Sequence, residues 1–315
     1  MSAFPTDLFT ALLTFRSTIR SIARLCAVGT LCVAASSSAF AAKLVLGAKN
    51  FTEQYVLAEL TAQYLRSRGY DVEVRSGLGS TLMRSALENG QFDLVWDYTG
   101  TAALVYDKIK DKLPPEQMYQ RVKALDEPRG LVWLDASPLN DTYAIGLPSQ
   151  FAQASGIKTV SQLADYLKTR PAAKHMVFGM DAEFANRPDG LKPLLETYGM
   201  HFSRSQMKQM DPGLVYTALH NNQLKIGLVY TTDGRVKGFG IVPLDDDKHF
   251  FPPYNATPVV RKEALEHNPK LAAQLNALSA ALNNDVMQDM NKAVDLDGKS
   301  PRDVADAFLR THPLP

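Results

Sequence analysis

Residues 70–101, "YDVEVRSGLGSTLMRSALENGQFDLVWDYTGT", decide how this chain is built. "YDVEVRS" alternates apolar and polar side chains, the period of a strand. Gly77-Leu78-Gly79 turns the chain, Ser80 stands where a helix cap is wanted, and "TLMRSALEN" carries a helix as far as Gly90. "FDLVW" (92–96) is an apolar run of strand length. Upstream, "KLVLGAKNF" (43–51) opens as a strand and then breaks. Asn50 and Glu53 have the spacing of a capping box. Val56, Leu60 and Tyr64, flanked by Leu57 and Leu65, make the apolar stripe of an amphipathic helix that Gly69 ends. The order strand, helix, strand, helix, strand is the α/β pattern, in which loops at strand ends are open to ligands.

Downstream the same grammar returns. A charged helical stretch runs from about 105 to 127, and "GLVWLDASPLNDTYAIGLP" (130–148) holds two extended runs separated by Pro138 and Asn140-Asp141. A second unit follows, with Ser161 capping "QLADYLKTR", a strand in "HMVFGM" (175–180), a turn at "RPDG" (187–190) before the helix "LKPLLETYG", and a strand and turn in "LKIGLVYTTDG" (224–234). Residues 240–260 are extended and proline-rich, and the sequence is helical from 261 onward. A helical tail after an extended return implies that the chain crosses back to its first unit. The expected architecture is two α/β lobes, 42–142 with 245–315 and 143–244, joined by crossings near 142–147 and 237–255.

The first 41 residues differ from the rest. Arg16, Arg20 and Arg24 precede "LCAVGTLCVAA", which is too short to span a bilayer, and small residues lead to Ala39-Phe40-Ala41. This is the layout of a secretory signal peptide cut before Ala42. Both cysteines, Cys26 and Cys32, fall inside it, so the expected mature chain uses neither disulfides nor thiolate chemistry. Without the leader, 34 basic and 33 acidic residues become 31 and 32. A net charge near −1 gives no support for a nucleic-acid partner.

No catalytic motif declares itself. The sequence lacks a Gly-x-Ser-x-Gly elbow, a phosphate-binding Walker loop, a His-Glu-x-x-His pair and a glycine-rich dinucleotide turn. The six histidines show no metal-ligand spacing, and Asp245-Asp246-Asp247 lacks the calcium-loop pattern. The expectation is a binding protein with no cofactor and no metal. An amino-acid receptor and an enzyme on a similar two-lobed fold stand as rivals.

Tyrosines carry the positive signal. Tyr98 follows the "FDLVW" strand, Tyr143 follows Asn140-Asp141 at the first crossing, Tyr230 ends "IGLVY", and Tyr254 sits in "PPYNATP" at the return crossing. All four stand where a cleft between lobes is expected. Ring faces attract a quaternary ammonium, which has no proton to donate, by about 0.5–2 kcal/mol per well-placed ring. Lys49 and Arg187 are candidates for holding a carboxylate at the other end of such a ligand.

"KNFTEQ" (49–54), "DYTGT" (97–101), "NDTY" (140–143), "RPDG" (187–190), "VYTTDGR" (229–235) and "TPVVRK" (257–262) together resemble the osmoprotectant-binding proteins of ABC importers. These are receptors for glycine betaine, choline and proline betaine with the type II periplasmic-binding fold. The resemblance covers essentially all of 43–310. It implies that Tyr98, Tyr143, Tyr230 and Tyr254 surround a trimethylammonium head, with Asp141 beside it. It also implies that Lys49, Thr101 and Arg187 meet the carboxylate, and that the protein is a periplasmic monomer serving a membrane-embedded permease. Asp97 departs from the pattern, which commonly has Glu there.

Overall fold

The computed structural model describes residues 43–315 except Lys110 and Lys112. The expected signal peptide, with Cys26 and Cys32, lies outside the described residues. Ten strands follow in chain order: β1 (Leu44–Lys49), β2 (Val72–Leu78), β3 (Leu94–Tyr98), β4 (Leu131–Trp133), β5 (Tyr143–Pro148), β6 (Phe178–Met180), β7 (Met207–Gln209), β8 (Ile226–Tyr230), β9 (Ile241–Pro243) and β10 (Ala256–Arg261). They form two five-stranded sheets, ordered β2-β1-β3-β10-β4 and β7-β6-β8-β5-β9.

The two sheets repeat one plan. In the first, β1 lies between parallel β2 and β3, and antiparallel β10 lies beyond β3. In the second, β6 lies between parallel β7 and β8, and antiparallel β5 lies beyond β8. Each sheet therefore reverses its strand order next to its central strand, which opens a crevice at the carboxyl ends of the parallel strands. Lys49 and Tyr98 end β1 and β3; Asp181 follows β6 and Tyr230 ends β8.

Apolar burial fixes these ends in place. All five residues of β3 are buried, as its continuous apolar run requires of a strand covered on both faces. Leu57, Leu60 and Leu65 of the helix Thr52–Ser67 are fully buried with Leu46 and Leu94 of the sheet. Trp96 joins this core and satisfies its one polar atom by donating from Nε1 to Thr61 Oγ1 at 2.8 Å. Truncating a side chain of that size in a packed core costs about 3–5 kcal/mol. The tail helix Pro301–Thr311 packs on Thr52–Ser67, so the chain does return to its first sheet.

The connections between sheets are short and paired. The chain leaves the first sheet after Trp133, enters the second at Tyr143, leaves it after Pro243 and re-enters the first at Ala256. Asn140 and Asn255 form a bridge between the two connecting runs. Asp141 N donates to Tyr254 O at 3.2 Å, and Tyr254 N donates to Asn140 Oδ1 at 2.7 Å.

Several local expectations need correcting. Asn50 does not cap the first helix: Phe51 holds the N-cap position with extended backbone and no side-chain cap bond. Ser80 is the first residue of its helix, with Gly79 at the N-cap. Thr159, not Ser161, makes the capping box with Gln162, because the helix starts at Val160. The stretch from 105 is not one helix. A turn at Thr99–Thr101 runs into a π-helical turn, Ala102–Tyr106, and the α-helix begins only at Pro115, where proline suits a first turn.

Candidate functional site

Strand register brings the tyrosines together. Tyr143 and Tyr230 are direct partners across the antiparallel pair β5–β8, and their ring centroids lie 5.1 Å apart. Tyr98 pairs with Ala256 on β10, two residues after Tyr254. Tyr254 stands edge-on to Tyr143 at 5.2 Å. Its ring presses on Gly100, where an added Cβ would come within 2.7 Å of Tyr254 ring carbons. Only glycine leaves room there. One cavity of about 420 Å³ is lined by all eight expected residues: Lys49, Tyr98, Thr101, Asp141, Tyr143, Arg187, Tyr230 and Tyr254.

Each tyrosine hydroxyl has a polar partner that fixes its ring. Tyr98 donates to Glu53 Oε1 at 2.7 Å, Tyr230 to Asp181 Oδ2 at 3.3 Å and Tyr254 to Asp189 Oδ2 at 3.3 Å. Tyr143 accepts from Arg187 Nη1 at 3.1 Å. Burial pushes all four hydroxyls above the ordinary range, so they stay phenols. These bonds hold the four rings in the cavity wall.

The two basic groups are already paired. Lys49 Nζ lies 2.8 Å from Asp97 Oδ1 and 4.8 Å from the Tyr98 ring centroid. Asp97 also accepts from Tyr98 N and from the Tyr106 hydroxyl, so it anchors Lys49 from outside the cavity wall. Arg187 grips Asp189 with two parallel bonds, Nε–Oδ1 at 2.9 Å and Nη2–Oδ2 at 2.6 Å. Its Nη1 faces Thr101 Oγ1, the Tyr143 hydroxyl and Glu183 Oε1. Thr101 belongs to the first sheet's half and Arg187 to the second's, so this corner of the cavity exists only where the halves meet. Glu183 makes the same kind of crossing by accepting from Ser80 N at 3.1 Å. Burial alone would raise its carboxyl, but Lys49, the bond from Ser80 and Arg187 outweigh burial and hold it low.

Four contributors were not singled out in the sequence. Phe51 stacks on Tyr230 at 5.4 Å, nearly parallel, and reaches Tyr98 at 6.2 Å, so it links that ring to the others. Asp181 caps the helix Ala182–Asn186 by accepting from Phe184 N, and Glu183 follows in the first turn. Glu53 is buried beneath Tyr98. Phe51 and Glu53 lie within "KNFTEQ", where the capping-box reading gave Glu53 another task. Asp181 and Glu183 sit directly after the strand "HMVFGM", the position that marked the tyrosines.

This arrangement, a cleft between two α/β halves lined by aromatic rings and a buried arginine, is that of a solute-binding protein. The chain belongs to the family of substrate binding domains of ABC-type glycine betaine transport systems, which its residues 42–311 match. The glycine-betaine-binding protein of Pseudomonas aeruginosa is 49% identical over 300 residues, covering 94% of this chain and 95% of that one. The carnitine transport binding protein OpuCC of Listeria monocytogenes is 32% identical over 273 residues, covering 84% and 85%. Among solved structures, a glycine betaine/carnitine/choline ABC transporter protein matches with a TM-score of 0.68 at 29% identity, covering 85% of this chain and 98% of that one. Lactococcal OpuAC, closed on glycine betaine, shares the fold with a TM-score of 0.61 at 16% identity, covering 86% and 96%. The two-lobed periplasmic-binding fold expected from the sequence is the fold observed.

Proposed function

We propose that this protein binds glycine betaine, or a closely similar quaternary-ammonium zwitterion, in the cavity between the two sheets. The observation that carries this reading is the convergence of four tyrosine rings and Arg187 on one cavity. Tyr98, Tyr143, Tyr230 and Tyr254 take the trimethylammonium head by cation–π attraction, with Asp141 beside it. Arg187 Nη1 and Thr101 Oγ1 take the carboxylate, and Lys49 adds positive charge from across the cavity. The lobes are 42–142 with 245–315 and 143–244. Each supplies part of the site, so ligand favours the closed form by making its full set of contacts only there. The closed protein then delivers its load in the periplasm, as a monomer without its leader, to a membrane-embedded ABC permease. The high identity to a glycine-betaine-binding protein supports the choice of ligand.

A second ligand, choline, is favoured by one observation. Asp141, Asp181, Glu183 and Asp211 line the cavity against only Lys49 and Arg187, both already paired with acids. A net cation suits that balance.

Competition titrations of the purified protein test the reading. Replacing methyl groups by protons strands ammonium donors among ring faces, at about 1–3 kcal/mol, and gives up roughly 0.8 kcal/mol of burial per methyl. Affinity should fall in the order glycine betaine, dimethylglycine, sarcosine, glycine. Glycine binding as tightly as betaine would transfer the protein to the amino-acid receptors.

A further inference from the structure

Beneath the aromatic cavity, three oxygens compete for too few protons. Thr232 Oγ1 lies 2.6 Å from Glu53 Oε2 and 2.7 Å from Asp141 Oδ1. A threonine hydroxyl carries one hydrogen and donates one bond. If both carboxyls were ionised, one of these two contacts would set lone pairs against each other. A proton on either carboxyl removes the conflict, because that acid then donates to the hydroxyl while the hydroxyl donates to the other.

No neighbour supplies a compensating positive charge. Among the described residues, no ion pair joins Glu53 or Asp141 to a basic group. From β3, Tyr98 donates its hydroxyl to Glu53, and Lys49 of β1 lies over the ring but is held by Asp97. From the turn after β8, Asp233 adds a further negative charge, though Arg235 grips it at 2.6 Å. From the helix Asn284–Asp295, Asn291 is a neutral amide whose Nδ2 donates to Thr232 O at 3.0 Å, and Asp295 meets Thr52 and Arg235. Burial raises the Glu53 carboxyl to about 7, and burial together with Glu53 raises Asp141 well above the usual carboxylate range.

We propose that Glu53, Asp141 and Thr232 form a proton-holding site under the cavity, and that a quaternary ammonium entering beside Asp141 expels this shared proton. The release step rests on the ligand reading above; the shared proton does not. The cation supplies the charge the pair lacks, so the doubly ionised pair becomes the stable form in the complex. The proton leaves to solvent and no other bond changes. By linkage, binding that releases one proton strengthens as much as about tenfold per pH unit while pH rises toward the free pair's titration, then levels off. The affinity should weaken as pH falls below about 7.

Two measurements test this separately. Infrared difference spectra of the ligand-free protein between pH 5.5 and 8.5 should show a buried carboxylic-acid carbonyl band that titrates near pH 7. The band should be lost in both Glu53→Gln and Asp141→Asn, since either change leaves one acid with nothing to share. The wild-type spectra decide the matter even if a variant fails to fold, and absence of the band overturns the shared proton. Calorimetry with glycine betaine, and with choline, in buffers of different ionisation enthalpy then counts protons. Betaine's carboxylate, one carbon from a fixed cation, ionises below the ordinary α-carboxyl range of about 3.3–3.7, and choline has none, so neither ligand contributes. Release approaching one proton below pH 7 and none at pH 9 supports the proposal. Tight binding with no release and no pH dependence overturns the release step and leaves the ligand reading standing. A protein that shows the band but binds neither compound overturns the ligand reading instead.

Discussion

Replacing Arg187 by alanine should separate the two ends of the ligand. Its Nε and Nη2 are committed to Asp189, leaving Nη1, at 3.4 Å from Thr101 Oγ1, as the arm proposed to meet a carboxylate. The side chain is 4% exposed, so the bond forms away from water. A charge-assisted bond of this kind is worth about 1.5–3 kcal/mol, or roughly 10- to 150-fold in Kd. The same change strands Asp189, whose side chain is 10% exposed, and breaking a buried pair from one side costs about 3–5 kcal/mol of stability. Pairing Arg187→Ala with Asp189→Asn removes the stranded charge and keeps the protein measurable. The assay is calorimetric titration of glycine betaine and choline against wild type and the double variant. Betaine should weaken by the factor above, whereas choline, with no carboxylate, should change by less than about threefold. Equal losses for both ligands would refute the assignment and make Arg187 a structural or closure residue.

Three further outcomes are expected. Alanine at Tyr98, Tyr143, Tyr230 or Tyr254 should each weaken betaine by about 0.5–2 kcal/mol in titration calorimetry, and intact affinity in three of the four would discard the aromatic cage. Gly100→Ala, which drives a methyl into the Tyr254 ring and the Pro253 carbonyl oxygen, should weaken betaine several-fold and also lower the melting temperature, since overpacking a buried site costs about 1–3 kcal/mol; unaltered affinity would show that the Tyr254 ring can retreat. The third concerns ligand-free stability. Glu53 titrates near 7 when folded against 4.5 otherwise, so between those values the folded state holds more protons and stability falls as pH rises. At about 1.4 kcal/mol per pH unit the penalty approaches roughly 3 kcal/mol above pH 7. Denaturation curves should therefore show Glu53→Gln gaining on wild type from pH 4.5 to 8, and parallel profiles would contradict this.

Much of this was legible because the signals are local. The alternation in "YDVEVRS", the apolar run "FDLVW" and the glycines around them define strands without help from distant residues. The tyrosines were found because each stands at a strand end or a crossing, where an α/β fold opens. Charge pairing was not legible in the same way. Lys49 and Asp97 are 48 residues apart, and Glu53 and Thr232 are 179 apart. The first meeting depends on β1 pairing with β3 within one sheet and the second on how the two halves come together, and no local period encodes either. Glu53 was hidden for a further reason: at the start of a helix, a glutamate three positions after an asparagine reads as a cap. Phe51 took the cap position and freed Glu53 to turn inward. Ser161 misled in a similar way, because Thr159 two residues earlier serves equally well and its helix starts there.

The paired runs between the sheets do more than connect them. Because Asn140 bridges Asn255 and Asp141 bonds to Tyr254, the two runs form one ribbon, which serves as the axle in the proposed closure. Points on an axle move little, so the proposed closure leaves Asp141 and Tyr254 in place. In the proposed closure Arg187 and Asp181 ride on the far jaw, whereas Tyr230, the strand partner of Tyr143, sits beside the ribbon. On that proposal the incoming molecule meets a stationary seat first and is clasped afterwards. A substitution in the ribbon changes both the seat and the stiffness of the joint, so at these positions grip and gape cannot be tuned apart.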